Sequence, residues 1–390
     1  MFIYLPPEMK KFLTLILIST TLGCHHPNTL ETNTKLLLDE FEWQLQKDLQ
    51  DDGLNGSFSM AIVKGNQIIR SKAFGTVDLE ALQADTNSIY RIGSISKSFT
   101  AFLMMTQVQK GILSLDDPVE KYLPEVREIE GYSDSTIFTF RQLASHTSGL
   151  AHLPKGRFVQ CRVSVWDSLL LTILPKAYFI AQPDEKYAYS NIGFGILGLA
   201  ISRAANKPFI ELMRTEVFEP LNMKNTFYVI PENKMHHWAH GRSGGPIGGY
   251  DDERPKRELS GMTWGVPSGG IWSTANDLAK FVICNTGYSE ILNLNNLSLM
   301  QTSQTPKGDW QKNYGLGLSI YQDSIIHTIG HQGGNPGYRA NLLFEKESEY
   351  GVVLLRNYNW GITDLNLRST LLLRRLKQLE NEKNITNAKK

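Results

Sequence analysis

A surplus of either charge is missing from this chain. Across 390 residues, 40 Lys and Arg face 39 Asp and Glu, for a formal net charge of +1. That balance removes the electrostatic argument for nucleic acid or an acidic partner, because both need clustered cations. Cysteine is scarce: only Cys24, Cys161 and Cys284 occur. No C-x-x-C pair or zinc spacing is present, so neither a metal site nor a disulfide framework is expected. Two buried free thiols are the simpler expectation for Cys161 and Cys284, and their spacing leaves a bridge open. Beyond the first residues no stretch approaches the ~20 apolar residues of a membrane-spanning helix. Internal repeats and low-complexity blocks are absent too, which excludes a solenoid. What remains is a chain of 41% hydrophobic and 20% charged residues. It can bury a large core, as one composite domain or two ordinary ones.

The first two dozen residues read as a targeting segment rather than as fold. Lys10-Lys11 is a short basic patch, and Phe12 to Leu22 is an apolar run too short for a good span. Met9 is the more natural start, since it sets Met-Lys-Lys directly before that run. The run ends in Thr21-Leu22-Gly23-Cys24, which resembles a bacterial lipoprotein box with Thr21 where leucine is usual. The resemblance implies that residues 1–24 are a signal peptide and that Cys24 is lipidated as the new N-terminus. The mature protein is then held in the bacterial cell envelope, outside the cytoplasm. An ordinary secretory signal, giving a soluble secreted or periplasmic protein, is the competing reading. Residues 25–34 are polar and read as a tether.

Leu37, Phe41, Leu45 and Leu49 recur every four residues and predict an amphipathic helix, ended by Asp51-Asp52-Gly53. Ser57 to Val63 and Gln67 to Phe74 predict a hairpin around Lys64-Gly65-Asn66. A buried helix follows, apolar nearly all round from Phe99 to Val108 and closed by Lys110-Gly111. Asp117-Pro118 is expected to start a short helix with Asp117 as its cap. From Phe140 to Asn225 the pattern is mostly helical. Residues 232–263 are rich in Gly, His and charge and read as a long surface loop. Helices are expected from Thr274 to Cys284 and from Leu292 to Gln301. Strands are expected over Tyr314 to Tyr321, Ile325 to Ile329, Tyr338 to Phe344 and Gly351 to Arg356. Their short connections make them antiparallel neighbours. Thr363 to Leu379 is a last amphipathic helix, and residues 381–390 read as a frayed polar tail. Strands at both ends and helices between them predict an α/β chain of the α+β type. One antiparallel sheet would be built from both ends (about 35–90 and 264–380), covered by the terminal helices, with a mainly helical lobe (about 91–263) inserted. The whole of 35–380 is expected as a single domain, with a cleft between the lobes.

Ser94 and Lys97 stand at the start of the buried helix, where positions i and i+3 share a face. Taken alone, Ser94 is as well explained as an N-cap and Lys97 as a solvated helix residue. The apolar helix behind them argues against a solvated lysine. Burial and the helix N-terminus both push an amine toward its neutral form, a base for the serine hydroxyl. Free N–H groups of that helix start offer an oxyanion site. Tyr187-Ala188-Tyr189-Ser190-Asn191 precedes a second helix. Tyr189 is a candidate general acid and base, and Asn191 a candidate donor and acceptor; the plainer reading is a helix cap. Gly330-His331-Gln332-Gly333-Gly334 lies at the end of a predicted strand. His331 could place a donor or charge in the cleft, and the glycines allow close backbone approach; alone, a glycine-rich bend is the plainer reading.

Together these residues resemble the serine penicillin-recognising superfamily, in its branch of class C β-lactamases, D-Ala-D-Ala carboxypeptidases and esterases. Ser94-x-x-Lys97, Tyr189-x-Asn191 and His331-x-Gly333 match its three motifs in order. Gly111 to Pro118, Ser145-His146-Thr147-Ser148-Gly149-Leu150 and Gly269 to Ala275 look like that branch too. The resemblance implies the β-lactamase/transpeptidase fold, with Ser94 as acylated nucleophile and Lys97 and Tyr189 sharing the proton. It implies Asn191 as substrate-orienting, the Ser94 and Gly334 N–H groups as oxyanion donors, and His331 in contact with substrate or Tyr189. Three positions depart from the pattern. His331 stands where many members carry lysine, Gln332 where Thr or Ser is common, and Pro183-Asp184 where Pro-Gly is usual. The first two favour substrates other than β-lactams, and the third implies a local loop change.

Two other letter matches fail on context. Gly241-Arg242-Ser243-Gly244-Gly245 fits G-x-S-x-G but lacks the strand before and helix after. His236 and His240 have zinc spacing but no glutamate between them. His146 reads as a helix-end residue rather than half of a dyad. The expectation is a lipid-anchored serine hydrolase, a monomer, acting on D-amino-acid peptides, esters or β-lactam-like amides, including cell-wall peptide. No cofactor, metal or nucleic acid is implied. The competing class is a penicillin-binding sensor that acylates without efficient turnover.

Overall fold

The computed structural model describes residues 29–78, 80–156, 161–242, 259–260, 263–306 and 313–388. Its principal elements are α1 (Thr29–Asp52), β1 (Ser57–Lys64), β2 (Gln67–Gly75), α2 (Ser96–Gln109), α3 (Asn191–Ala205) and α4 (Ala275–Asn285). There follow β3 (Asn313–Tyr314), β4 (Ser319–Gln322), β5 (His327–Asn335), β6 (Tyr338–Glu345), β7 (Tyr350–Arg356) and α5 (Leu365–Ala388), with shorter helices between. The sheet runs β2-β1-β7-β6-β5-β4-β3, every neighbour antiparallel. Phe58 lies opposite Arg356 and Lys64 opposite Tyr350, so the first strand is locked beside the last.

Strand alternation divides the core in two. Phe58, Met60, Ile62, Val352 and Leu354 pack beneath the terminal helices with Leu38, Phe41, Leu45, Leu372 and Leu376. Ala61, Val63, Val353 and Leu355 face the other way, into the core shared with α2, α3 and α4. There Phe99 of α2 stacks on Phe281 of α4, with ring centroids 3.9 Å apart. The helix carrying Ser94 and Lys97 is thus fixed to the sheet through α4, which lies against β1 and β7.

Asp52 clasps the chain ends. Its carboxylate accepts from Tyr358 Oη at 2.8 Å and Ile362 N–H at 2.8 Å, and it pairs with Arg356 at 3.4 Å.

Several expectations are corrected. α1 starts at Thr29, so the part of the segment read as a tether from Thr29 onward is helical. α5 continues to Ala388, because nothing after Asn381 is Pro or Gly to end it. The stretch from Tyr314 to Tyr321 is two strands broken by a turn, with Gly317 at φ +69 packed against the Lys97 carbonyl. Asp117 is no helix cap. Its carboxylate accepts from Ser114 N–H and Tyr122 Oη, and Pro118 before the next turn is extended. Residues 232–263 are not all surface loop: Ala239 and Arg242 are buried, and Ile89 bonds on either side of Trp238. Cys284 is a buried free thiol. Cys24 and Ser243 lie outside the described residues.

Replacing Asp52 by Ala leaves Arg356 buried without its carboxylate. The expected cost is about 3–5 kcal/mol of folding stability, read as a lower denaturant midpoint. An unchanged midpoint would show that the clasp contributes nothing.

Candidate active site

Gly93 opens the site. It takes φ +53, and a Cβ there would stand 2.6 Å from the Gly334 nitrogen, so only glycine fits. A 3₁₀ turn, Gly93–Ile95, then runs straight into α2. Ser94 is half-buried within an otherwise buried run. One turn on, Lys97 is wholly buried, its Nζ 3.1 Å from Ser94 Oγ and 2.9 Å from the Ser268 carbonyl. No carboxylate pairs with it among the described residues. Burial therefore holds its pKa well below the ordinary lysine value, which favours the neutral amine.

The same helix turn is rich in hydroxyls, each with a fixed job. Ser98 donates to the Gly317 carbonyl at 2.7 Å and Thr100 to the Pro267 carbonyl at 2.7 Å. Ser96 Oγ accepts from Ile271 N–H at 3.2 Å. They clamp α2 to the two segments that cross it.

Tyr189 arrives from the helical lobe. Its hydroxyl bonds to Ser94, and its ring centroid lies 4.8 Å from Lys97 Nζ. Burial pushes its pKa up to about 12, against a smaller lowering by Ser94, so it stands as a phenol. Ser190 is the true cap of α3, accepting from Gly193 N–H at 2.9 Å. Asn191 is the first helical residue. Its Oδ1 is buried with no partner, and its Nδ2 lies 2.9 Å from His152 Nε2.

The glycine motif lies inside β5 rather than at a strand's end. β4 pairs with β5 only as far as Gly330, which leaves the later residues to face the Ser94 turn. A Cβ on Gly333 would stand 1.8 Å from the Ile92 carbonyl oxygen. The Gly334 amide is thereby set beside Ser94. His331 is buried. Its Nδ1 donates to the Gln332 carbonyl at 2.6 Å, and its Nε2 lies 2.9 Å from Tyr314 Oη. Its ring centroid is 6.4 Å from that of Tyr189.

Ser94, Lys97, Tyr189, Asn191 and Gly334 are brought together, and His331 joins them through Tyr314. Three contributors were not read as site residues. His146, the left-handed cap of the helix Phe140–Ser145, accepts from Ser190 N–H at 3.0 Å and lies 4.3 Å from the Tyr189 ring. His152 stands exposed at the edge, its ring 5.6 Å from Tyr189. Desolvation, then Lys97, lowers its pKa. Tyr314 is wholly buried. The S-H-T-S-G run hinted at His146; nothing local marked the other two. Asp184 keeps the left-handed turn usual for glycine, at φ +61, and accepts from Thr147 Oγ1 at 2.8 Å. Among the described residues no cluster of His, Cys, Asp or Glu could hold a metal.

A sheet closed by both chain ends, with this serine, lysine and tyrosine where it meets the helical lobe, defines the fold of the serine penicillin-recognising proteins. The family model described as Beta-lactamase matches residues 44–376, and the chain belongs to that family. It is 27% identical over 386 residues to Beta-lactamase-like protein 4 of Dictyostelium discoideum, covering 88% of this chain and 65% of that protein. It therefore spans less than two thirds of that relative's length. Among solved structures it is similar to the octameric penicillin-binding protein homologue from Pyrococcus abyssi. The TM-score is 0.73 at 24% identity, over 87% of this chain and 77% of that one. It is also similar to a D-alanine carboxypeptidase from Burkholderia cenocepacia, with TM-score 0.72 at 22% identity, over 87% and 99%.

An NMR titration of the lysine side chains should find Lys97 losing its proton well below the ordinary 10.5. The sign follows: with the folded value depressed, the unfolded chain binds more protons, so this group's penalty on stability eases as pH rises toward 10.5. A midpoint at the ordinary value would remove Lys97 as a neutral base.

Proposed function

We propose that the protein is a serine hydrolase working through an acyl-enzyme on Ser94. One observation carries the reading: a wholly buried lysine with no ion pair among the described residues stands 3.1 Å from a half-buried serine hydroxyl. A structural lysine is exposed or salt-bridged instead. Neutral Lys97 accepts the Ser94 proton as Oγ bonds to the substrate's carbonyl carbon. The charge developing on the carbonyl oxygen falls to the N–H groups of Ser94 and Gly334. Tyr189 gives its proton to the leaving group and regains one from the Lys97 ammonium. Water then adds to the acyl carbonyl, its proton passing back through the same pair, and Ser94 leaves as the hydroxyl. The unpartnered Oδ1 of Asn191 suits a substrate N–H.

Substrates are, in order, D-amino-acid peptides, esters and β-lactam-like amides. The order rests on His331: its two ring nitrogens are engaged within the protein, so the third motif brings no fixed cation. The reading includes a place outside the cytoplasm, with the domain tethered through lipid on Cys24 and acting as a monomer on small or cell-wall substrates. Cys24→Ser should then move the protein from the membrane to the soluble fraction; membrane retention would remove the anchor.

Ser94→Ala should abolish hydrolysis of an activated ester with the fold intact, and retained turnover would exclude Ser94 as nucleophile. Tyr189→Phe should slow both steps by about 10²–10⁴-fold. A fluorescent penicillin separates turnover from sensing. A label that decays marks a hydrolase, a permanent label marks a sensor, and no label points to the peptide and ester substrates.

A further inference from the structure

The backbone at His152 is tied to the start of α3. Its carbonyl accepts from Asn191 N–H at 3.0 Å and Ile192 N–H at 3.4 Å, and the Ala151 carbonyl accepts from Ser190 Oγ at 2.8 Å. The His152 side chain is exposed, yet its base is pinned. Its ring meets the Asn191 amide, with Nδ2 lying 2.9 Å from Nε2. An amide NH₂ only donates, so Nε2 accepts and the ring is neutral, with its proton on Nδ1. Asn191 is buried, and its Oδ1 has no partner among the described residues. The amide is planar, so the bond to His152 decides where Oδ1 points.

A proton on the ring reverses this arrangement. Imidazolium carries an N–H at both nitrogens, and Nε2–H would then face the Asn191 NH₂. The relief is a half-turn of the amide about its Cβ–Cγ bond. Oδ1 then accepts from His152, and the NH₂ takes the place that Oδ1 held. An acceptor becomes a donor with little change in shape. The ring is faced by Asn191 of α3, by the Tyr189 ring with centroids 5.6 Å apart, and by Lys97 of α2 through its charge. None of these is a carboxylate. Desolvation first, then Lys97, lowers the His152 pKa from 6.5. The larger cause does not depend on the charge of Lys97. The imidazolium is therefore the main form only below 6.5.

We propose that His152 is a positioning residue for Asn191: the neutral ring holds the amide with Oδ1 toward the substrate and so favours an acyl group that carries an N–H, and the protonated ring turns the amide and withdraws that preference. The inference rests on the serine hydrolase reading and adds a determinant of substrate choice to it. His152 moves no proton of the reaction and acts through Asn191.

The test uses two activated esters with the same leaving group. One carries an acylamino group beside the scissile carbonyl, and the other has that amide N-methylated. Their ratio of kcat/KM cancels the titration of Lys97 and Tyr189, which both esters share. Methylation also alters shape, so the readout is the change in that ratio between about pH 8 and about pH 5. In the parent protein the advantage of the N–H ester should shrink about two- to tenfold as pH falls, the worth of one hydrogen bond. His152→Gln offers Asn191 Nδ2 an amide oxygen that does not titrate, so its ratio should hold the high-pH value throughout. Matching thermal transitions establish that the variant is folded. Imidazole nitrogen NMR shifts of the parent give a second measurement, and Nε2 should be unprotonated at about pH 8. A flat ratio in the parent, the same pH dependence in His152→Gln, or a proton on Nε2 at that pH would overturn the role. Ser94-dependent turnover of the two esters would then leave the hydrolase reading standing. Absence of Ser94-dependent turnover of either ester would overturn both.

Discussion

The centre of this molecule depends on keeping an amine where water cannot reach it. An ammonium in such a place costs several kcal/mol unless a carboxylate answers it, and among the described residues none stands beside Lys97. Burial therefore favours the neutral amine, the form the proposed base requires. The surroundings preserve that state by satisfying backbone polarity with hydroxyls rather than charges. Ser96, Ser98 and Thr100 bond to Ile271, Gly317 and Pro267, so the segments crossing α2 are tied down without a counter-ion. The tyrosine is treated in the same way: burial raises the Tyr189 pKa to about 12 and keeps it a phenol.

Glycine supplies the second constraint. The Ser94 turn and β5 approach so closely that Gly93, Gly333 and Gly334 leave no room for a Cβ without displacing backbone or the Arg339 side chain. Those missing side chains let the backbone of β5 lie directly against the turn that carries Ser94.

Much of this was legible in the sequence because local periodicity fixed it. The i, i+3 spacing put Ser94 and Lys97 on one face, and the apolar run behind them implied burial. The two ends of the sheet were readable from alternation, and the turn at Gly65-Asn66 from its residues. What was not legible depended on direction or on distant partners. A strand's letters do not say which way His331 turns, and its imidazole went to Tyr314. The turn at Gly317 looked like part of a strand because the reason for it lies on α2. His152 carries no local pattern and is defined by its contact with Asn191. Residues 29–33 and 381–388 were underread as helix because polarity was taken for looseness.

The pairing of β1 with β7 has a consequence in time. Ser57 N–H bonds to Asn357 Oδ1 at 2.7 Å across 300 residues of chain, and the helical lobe is the loop this closes. Contacts of such long reach form late and slowly. Every motif residue precedes β7, yet the sheet that seats β5 against the Ser94 turn cannot close until that strand has been made. A nascent chain can therefore carry the full catalytic set while having no assembled site, and competence arrives only with its last eighth.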